Sequence, residues 1–439
     1  MHSFYEFFAG GGMATAGLNK SGDKWECRFA NDIDKKKAAS YIKNWLPEHA
    51  QETVERTDEA LNRDADRSAE KIRMVGHLAV GSVADVDTKK HLGDDQVDLA
   101  WASFPCQDLS LAGSGAGLSG ERSGTFMPFW KLIKTLRDEG RPPRLVVLEN
   151  VVGALTAGKG QDFVTLGDML ATTEYRFGAV VINADHWVPQ SRPRLFIIGV
   201  HKDVPLKEEL VSETWQFPWH TKTLVAAHQR LIEGSHATRK HDAWVWWNLP
   251  NPPSKRTDYQ TLSDVVREGN PKGVAWHSPE ETTRLIEELM NPVNRKKVRN
   301  AEKMSIETNS PIVGTVYKRM RPEGDVIGED EKGRPIRAKV QRAEVRFDGV
   351  AGCLRTPGGG SSRQTILIVD NGVSRSRLLS PRETARLMGL PEDYHLPERY
   401  NDAYHLTGDG VVVYVVDFLA RSILEPLLAG VAGADKLSA

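Results

Sequence analysis

An apolar run from Val97 to Phe104 ends abruptly in Pro105-Cys106 and opens into a stretch punctuated by Gly113, Gly115, Gly117, Gly120 and Gly124. A short apolar run bounded by such turn signals reads as a strand buried on both faces, the kind found in parallel sheets. It places a thiol at the carboxyl end of a strand, which in open α/β sheets is the edge where ligands bind. Pro105 stiffens the backbone just ahead of the sulfur, and the glycines after it suit a mobile lid. Taken alone, Cys106 still fits a core cysteine better, because free thiols are among the most buried side chains. The rest of the chain decides between the two.

The chain opens with a short apolar strand, Ser3–Ala9, that runs into Gly10-Gly-Gly12 and then a helical stretch, Met13–Leu18. This is the opening of a nucleotide-binding α/β unit. The dinucleotide pattern does not complete, since its last position counted from Gly10 is Thr15, and no P-loop Lys-Ser/Thr follows. An NAD or ATP site is therefore disfavoured, whereas glycines that allow close backbone approach suit a cofactor without phosphates. The second strand, Trp25–Ala30, ends in Asn31-Asp32-Ile33-Asp34. An acid about twenty residues past such a loop is placed to grip a ribose diol, because a carboxylate accepts from both hydroxyls. Capping of the helix that begins near Lys35 is an equal reading of Asp32. Gly81–Val86 precedes the Cys106 strand, and a helix is expected around Phe129–Leu136. Another buried strand, Arg144–Leu148, ends in Glu149-Asn150-Val151, so a carboxylate shares the edge of Cys106. By itself it is equally a satisfied acid at a loop start. Two further strands, Phe177–Ile182 and Arg194–Val200, are joined through Val188–Arg194, where Arg192 and Arg194 alternate and are expected on one face of an extended segment.

After Val200 the strand–helix alternation fades. Residues 205–375 are rich in Pro, Trp, Lys and Arg and carry the basic runs Arg295–Arg299 and Lys318–Arg321, with Glu329-Asp-Glu331 among them. Basic groups with hydroxyls and glycines, as in Leu354–Arg363, suit phosphate contacts and close approach to DNA; a solvated surface of mixed charge fits equally. Ser380, Pro381 and Glu383 then form a capping-box start to a helix through Met388, and Gly389 and Pro391 stop it. Gly408-Asp-Gly410 precedes Val411–Val416 and a final helix through Leu428.

The charge sum bounds the partners. With 27% charged residues and a net charge of −1, any nucleic-acid surface must be local. Three cysteines, Cys27, Cys106 and Cys353, make neither a disulfide framework nor a thiolate zinc site, and no metal is expected. A run of about eighteen apolar residues is absent, so no membrane association is expected and the protein reads as cytoplasmic. Residues 47–75 are polar and read as an exposed helical insertion without assigned function. At 439 residues, two domains are the natural expectation.

Taken in order, these pieces resemble a bacterial, sequence-specific cytosine-C5 DNA methyltransferase. Phe8-Ala-Gly-Gly-Gly12 is similar to the family's cofactor loop, Phe104-Pro-Cys-Gln107 to its nucleophile loop, Glu149-Asn-Val151 to its acid, and Gln190-x-Arg192-x-Arg194 to its arginine pair. Arg377 to Gly389 and Gly408 to Val413 resemble its two closing motifs. The resemblance implies an α/β fold, a Rossmann-like S-adenosylmethionine-dependent domain with a mostly parallel sheet, plus a smaller irregular or mixed target-recognition domain. Residues 1–204 would form the first part of the catalytic domain, 205–376 the DNA reader, and 377–439 the closing segment that returns to the catalytic domain. Cys106, Glu149, Arg192 and Arg194 would be catalytic. S-adenosylmethionine would meet Phe8, Ala9, Gly10, Gly12, Asp32, Ile33, Ser82, Val83, Phe104, Pro105, Gly410 and Val411. Gln107, Ser110, Arg355, Thr356, Gly359 and Arg363 would contact double-stranded DNA, with the loop from Gly113 to Gly124 as lid. The implied enzyme is a DNA (cytosine-5-)-methyltransferase acting as a monomer, nucleoid-associated when on DNA, with a cognate restriction endonuclease in the same cell.

Met13, Ser82 and Asp409-Gly410 depart from the family pattern, where glycine, aspartate and Asn-Ser are common; Asp85 is a substitute for the acid missing at 82. An RNA cytosine-C5 methyltransferase shares the catalytic apparatus but has a shorter target domain than the segment between Val200 and Arg377. A catalytically inactive DNA-binding relative would lack Cys106 or Glu149. An NAD oxidoreductase leaves the Pro-Cys-Gln and Glu-Asn-Val pair unexplained.

Overall fold

The structure, a computed structural model, describes residues 1–22, 24–48, 71–105, 124–233, 237–266, 269–330, 332–355 and 363–429. These form two compact units, residues 1–183 with 193–252 and 410–439, and residues 184–192 with 253–409.

The first unit is built on an eight-stranded sheet. Its strands are β1 (His2–Phe7), β2 (Trp25–Asp32), β3 (Arg73–Val75), β4 (Leu78–Val80), β5 (Leu99–Ala102), β6 (Leu145–Val151), β7 (Tyr175–Asn183) and β8 (Pro193–His201), in the order β3-β4-β2-β1-β5-β6-β8-β7. The five strands from β4 to β6 run parallel, while β3, at one edge, and β8, inserted between β6 and β7, run antiparallel to their neighbours. The parallel strands are apolar throughout, as double-sided burial requires: Leu99, Ala100, Trp101, Ala102, Leu145, Val146 and Val147 are fully buried. Register sets where their loops begin. Phe7 pairs with Asn31 and with Ala102, Ala102 with Leu148, and Asp32 with Val80. The segments beginning at Phe8, Ile33, Gly81, Ser103 and Glu149 therefore start from one carboxyl edge. The chain leaves β1 first to one side and returns to its other side at β5, so this edge includes a topological switch point.

Helices α1 (Met13–Leu18), α2 (Lys35–Trp45), α3 (Phe126–Asp138), α4 (Gln161–Thr172) and α5 (Lys222–Leu231) belong to the same unit. Gly17 on α1 lets the C-terminal helix Val413–Leu419 approach closely, since a Cβ there would lie 2.3 Å from that of Val416. Asp417 accepts from Ser21, and Glu425 pairs with Lys24 at 2.9 Å, so the chain's end closes onto its beginning.

The second unit holds a four-stranded antiparallel sheet of β9 (Ile312–Arg321), β10 (Val340–Arg346), β11 (Thr365–Asp370) and β12 (Val373–Leu378), in the order β10-β9-β11-β12. Helices α6 (Pro279–Glu287) and α7 (Pro292–Thr308) share a core with it: Leu285, Ile286, Val298 and Ala301 pack with Val316, Val345, Leu367 and Val369. The stretch with little alternation in sequence is thus regular. On β9 and β10 one face carries Tyr317, Arg319, Arg321, Arg342 and Glu344, so the second half of β9 and the middle of β10 are dominated by charged residues and read as a charge run.

The unit boundaries differ from the expected 204 and 377. Residues 205–252 belong to the first unit. There α5 reaches α4 at Gly167, Trp219 accepts from the Val181 amide at 2.8 Å, and Trp247 packs at Gly178. Residues 377–409 belong to the second unit, because Arg377 lies in β12 and its guanidinium forms a fully buried ion pair with Glu383 at 2.7 Å. Glu383 also completes the expected capping box of helix α8 (Pro381–Leu387), accepting from the Ser380 amide at 2.7 Å. The predicted insertion falls mostly on residues 49–70, outside the described ones. Replacing Glu383 with Ala would remove the carboxylate that faces the buried Arg377 guanidinium, and unfolding should occur at lower urea concentration, with a loss of about 3–5 kcal/mol.

Candidate active site at the carboxyl edge of the sheet

The glycine loop is a run of left-handed turns. Phe8, Gly10 and Gly12 have φ of 58, 57 and 77°, a region that costs a non-glycine residue energy. Two groups beneath the loop hold it. Asp32, at the end of β2, accepts from the Gly10 amide at 2.7 Å and from the Asp34 amide at 2.7 Å. Burial raises its pKa above the ordinary carboxylate value, against those hydrogen bonds. Glu6 on β1 accepts from the Ala14 amide at 3.2 Å and from the Thr15 hydroxyl, serving the first turn of α1. Capping of α2, one reading of Asp32, falls to Asp34, whose carboxylate accepts from the Lys36 and Lys37 amides.

The edge beside it is apolar in part. Ile33 is 67% exposed, while Val83 and Ala9 are buried. Ser82 caps the turn Val83–Asp85, accepting from the Ala84 amide at 3.3 Å, and Asp85 pairs with Lys71 at 3.4 Å. Val411 is buried, and Gly410 is partly exposed at the start of the returning segment. Asn31 was not singled out from sequence. Its amide donates to the Ala79 and Gly81 carbonyls at 2.9 and 3.0 Å, which ties the ends of β2 and β4 together.

The loop after β5 is described as far as Pro105, which is exposed, while Phe104 is buried and its ring lies 4.7 Å from that of Phe126. Cys106, Gln107, Ser110 and most of the glycine-rich loop lie outside the described residues, as do Thr356 and Gly359. On β6, Glu149 is 5% exposed and its Oε1 lies 3.1 Å from Arg194 Nε on the paired strand β8. Asn150, equally buried, donates to the Phe104 carbonyl at 3.0 Å and accepts from the Val151 amide at 2.8 Å. The carbonyl it holds belongs to the second residue before Cys106.

The two arginines take their partners in different units. Arg194 joins Glu149 in the first unit, whereas Arg192, 1% exposed, belongs to the second. Its guanidinium donates to the Leu354 carbonyl at 2.9 Å and the Gly408 carbonyl at 2.8 Å. The chain passes between units at Arg192 and Pro193, so the two side chains serve different bodies. Gln190, fully buried, donates to the Leu387 carbonyl at 2.7 Å and accepts from the Leu354 amide at 3.1 Å. Together these bonds anchor the segment that leads to Arg355, which is exposed. Arg363 pairs with Asn401 and lies over the Tyr400 ring at 5.6 Å. Among the described residues, no group of three His, Cys, Asp or Glu side chains is arranged to hold a metal ion. No described helix is long and apolar enough to cross a membrane.

A family model described as C-5 cytosine-specific DNA methylase matches residues 2–425. The chain is 24% identical over 473 aligned positions to the Type II methyltransferase M.BanI of Aneurinibacillus aneurinilyticus, covering 99% of this chain and 98% of that protein. It is 23% identical to the Type II methyltransferase M.HhaI of Haemophilus parahaemolyticus, covering 96% and 93%. Among solved structures, S. pombe Dnmt2 methyltransferase superposes with a TM-score of 0.51 at 14% identity, over 98% of this chain and 99% of that one. The Entamoeba histolytica methyltransferase EhMeth gives 0.52 at 12%, over 98% and 99%. At those identities the structural likeness speaks for the fold.

Glu6 gives the edge a pH signature. Burial pushes its pKa up to about 7 from an ordinary 4.5, so the native state holds this proton more tightly than the unfolded chain. Its contribution to stability is therefore largest at low pH and falls as pH rises from about 4.5 through about 7, by roughly 3 kcal/mol in all. Thermal unfolding of Glu6→Gln across that range should show a flatter pH dependence than the parent protein.

Proposed function

The chain belongs to the C-5 cytosine-specific DNA methylase family, and from that premise we propose that it is a sequence-specific DNA (cytosine-5-)-methyltransferase with Cys106 as nucleophile. The observation that carries the residue assignment is the buried Glu149–Arg194 pair beside Asn150, whose amide holds the Phe104 carbonyl just ahead of Cys106.

Cytosine C5 is a poor nucleophile, so a group on the protein must first activate the ring. An ordinary thiol, with pKa near 8.5, is only a few per cent thiolate at pH 7, so the site must favour the anion or remove its proton during attack. The Cys106 thiolate adds to C6 and moves the C5=C6 electron pair onto C5. Glu149 binds the ring at N3 and its amino group, and a proton supplied toward N3 offsets the charge that develops there. Arg194 orients Glu149 and reaches toward the cytosine O2, and Arg192 supports the site by anchoring the segment before Arg355. Once C5 carries the methyl group, loss of the C5 proton and elimination of the thiolate restore the aromatic ring.

The family's cofactor is S-adenosylmethionine, which when bound supplies an electrophilic methyl group on a sulfonium sulfur. The residues present fit it. Among the described residues, a Cβ on Gly10 would meet only Lys37 Cδ, at 4.0 Å, which leaves them open to close approach there. Asp32 would accept from the ribose hydroxyls, Ile33 and Val83 would sandwich the adenine, and the loop from Phe8 to Gly12 would face the methionine end. Phe104, Pro105, Gly410 and Val411 would complete the cradle.

A target cytosine is inaccessible in a stacked duplex, so it must be flipped, at a cost of a few kcal/mol met by DNA contacts. We assign those contacts to Gln107, Ser110, Arg355, Thr356, Gly359 and Arg363, with the second unit as the sequence reader. The proposal includes action as a monomer in the cytoplasm and a cognate restriction endonuclease that shares the recognised site without forming a stable complex.

Incubation with S-adenosylmethionine and mixed-sequence duplex DNA, followed by bisulfite sequencing, should reveal 5-methylcytosine at one short motif, absent with Cys106→Ser. Absence of 5-methylcytosine with tight DNA binding intact would replace the enzyme by a DNA-binding relative. Asn150→Ala should lower kcat by about tenfold or more, because it frees the chain ahead of the nucleophile; single-turnover methylation at saturating cofactor measures it.

A further inference from the structure

The glycine loop is gripped from a side that the sequence pattern does not mark. Trp45, the last residue of α2, donates its indole N–H to the Gly11 carbonyl at 2.8 Å. The same ring fills the space over Gly12: a Cβ there would lie 2.2 Å from Trp45 Nε1 and 3.0 Å from Tyr41 Cδ2. Gly12 is thus required twice, by its φ of 77° and by the indole. The helix that carries Trp45 is firmly seated. Its start is capped by Asp34, and Ala38, Tyr41, Ile42 and Leu46 pack in one core with Ala9, Ala30, Val75 and Leu78.

We propose that Trp45 is a positioning residue for the methyl donor, acting through the Gly11 carbonyl; this rests on the reading of the glycine loop as the cofactor site. Three consecutive glycines give the loop access to many backbone conformations. Asp32 holds its first glycine by the amide, and Trp45 holds the second by the carbonyl. With both in place, the amides and open Gly10 backbone are presented in one arrangement before the ligand arrives. The peptide that carries the Gly11 carbonyl is held at its other end by the Gly12 amide, which donates to the Ala9 carbonyl at 2.8 Å; loss of the indole hydrogen bond loosens that hold, so a smaller fraction of molecules is competent to bind, and apparent affinity falls by that fraction. Trp45 touches no reacting atom in this scheme, so the turnover of the saturated enzyme is unaffected.

Trp45→Phe keeps the ring and removes the donor. In the full-length protein, titration calorimetry with S-adenosylmethionine should show Kd raised about three- to tenfold, the range expected for one hydrogen bond. In DNA methylation assays the cofactor KM should rise by the same factor, with kcat unchanged. Asp32→Ala, measured alongside, tests the site itself and should weaken the cofactor further. An unchanged Kd in Trp45→Phe, while Asp32→Ala binds weakly, would overturn the role of Trp45 alone. A joint fall in kcat and unfolding midpoint would also overturn it, by showing a merely structural residue. Full cofactor affinity in Asp32→Ala would remove the site on which the proposal stands.

Discussion

The parallel register of β1 with β2 and β5, and of β5 with β6, is the constraint on which the rest depends. Because Phe7, Asn31, Ala102 and Leu148 lie level across four strands, the segments that follow them leave the sheet side by side. A glycine loop, an acid, the segment Ser103–Pro105 that leads to Cys106 and a second carboxylate, each unremarkable alone, leave the same edge through backbone hydrogen bonding. A one-residue slip would turn every apolar side chain of a strand to the other face and carry its loop with it. Burial of Leu99 to Ala102 and Leu145 to Val147 on both faces makes that slip prohibitively costly.

Side-chain amides and carboxylates then tie the loops to the ladder. Asn31 bridges to the end of β4, Asp32 to the glycine loop, and Asn150 to the chain ahead of Cys106. The bonds of Asn31 to Ala79 and of Asn150 to Phe104 join buried groups, where an unmade partner costs more than the bond itself contributes, so these tethers are held as long as the fold is. The second unit uses the same device at greater cost. Arg377 and Glu383 are wholly buried and neutralise one another, and Arg192 gives its charge to two carbonyls. Removing one member of such a pair is far worse than never having built it.

Sequence made the catalytic edge legible because its signals are local: an apolar run, then a glycine, an acid or Pro-Cys. The capping box at Ser380 could be read on that basis alone, whereas Cys106, Glu149 and the glycine loop were singled out as a set by their order along the chain and its family resemblance. What stayed hidden depended on distance in the chain. Trp45 closes its bond to Gly11 across 34 positions and Asn150 to Phe104 across 46, and neither carries a motif of its own. The sheet of the second unit was masked because the second half of β9 and the middle of β10 are dominated by charged residues and looked like a charge run. The split of Arg192 and Arg194 between two units was equally invisible, since alternation does not tell which body a residue belongs to.

The central claim is that Cys106 forms a transient bond to the cytosine ring, and trapping that bond tests it most directly. In duplex DNA with 5-fluorocytosine in place of cytosine, the step that removes the C5 substituent as a proton cannot occur, so the adduct should persist. With S-adenosylmethionine present, mass spectrometry of the digested complex should find a methylated fluoropyrimidine nucleotide on the peptide that contains Cys106. A complex that dissociates on denaturation, or an adduct on the peptides of Cys27 or Cys353 instead, would contradict the account.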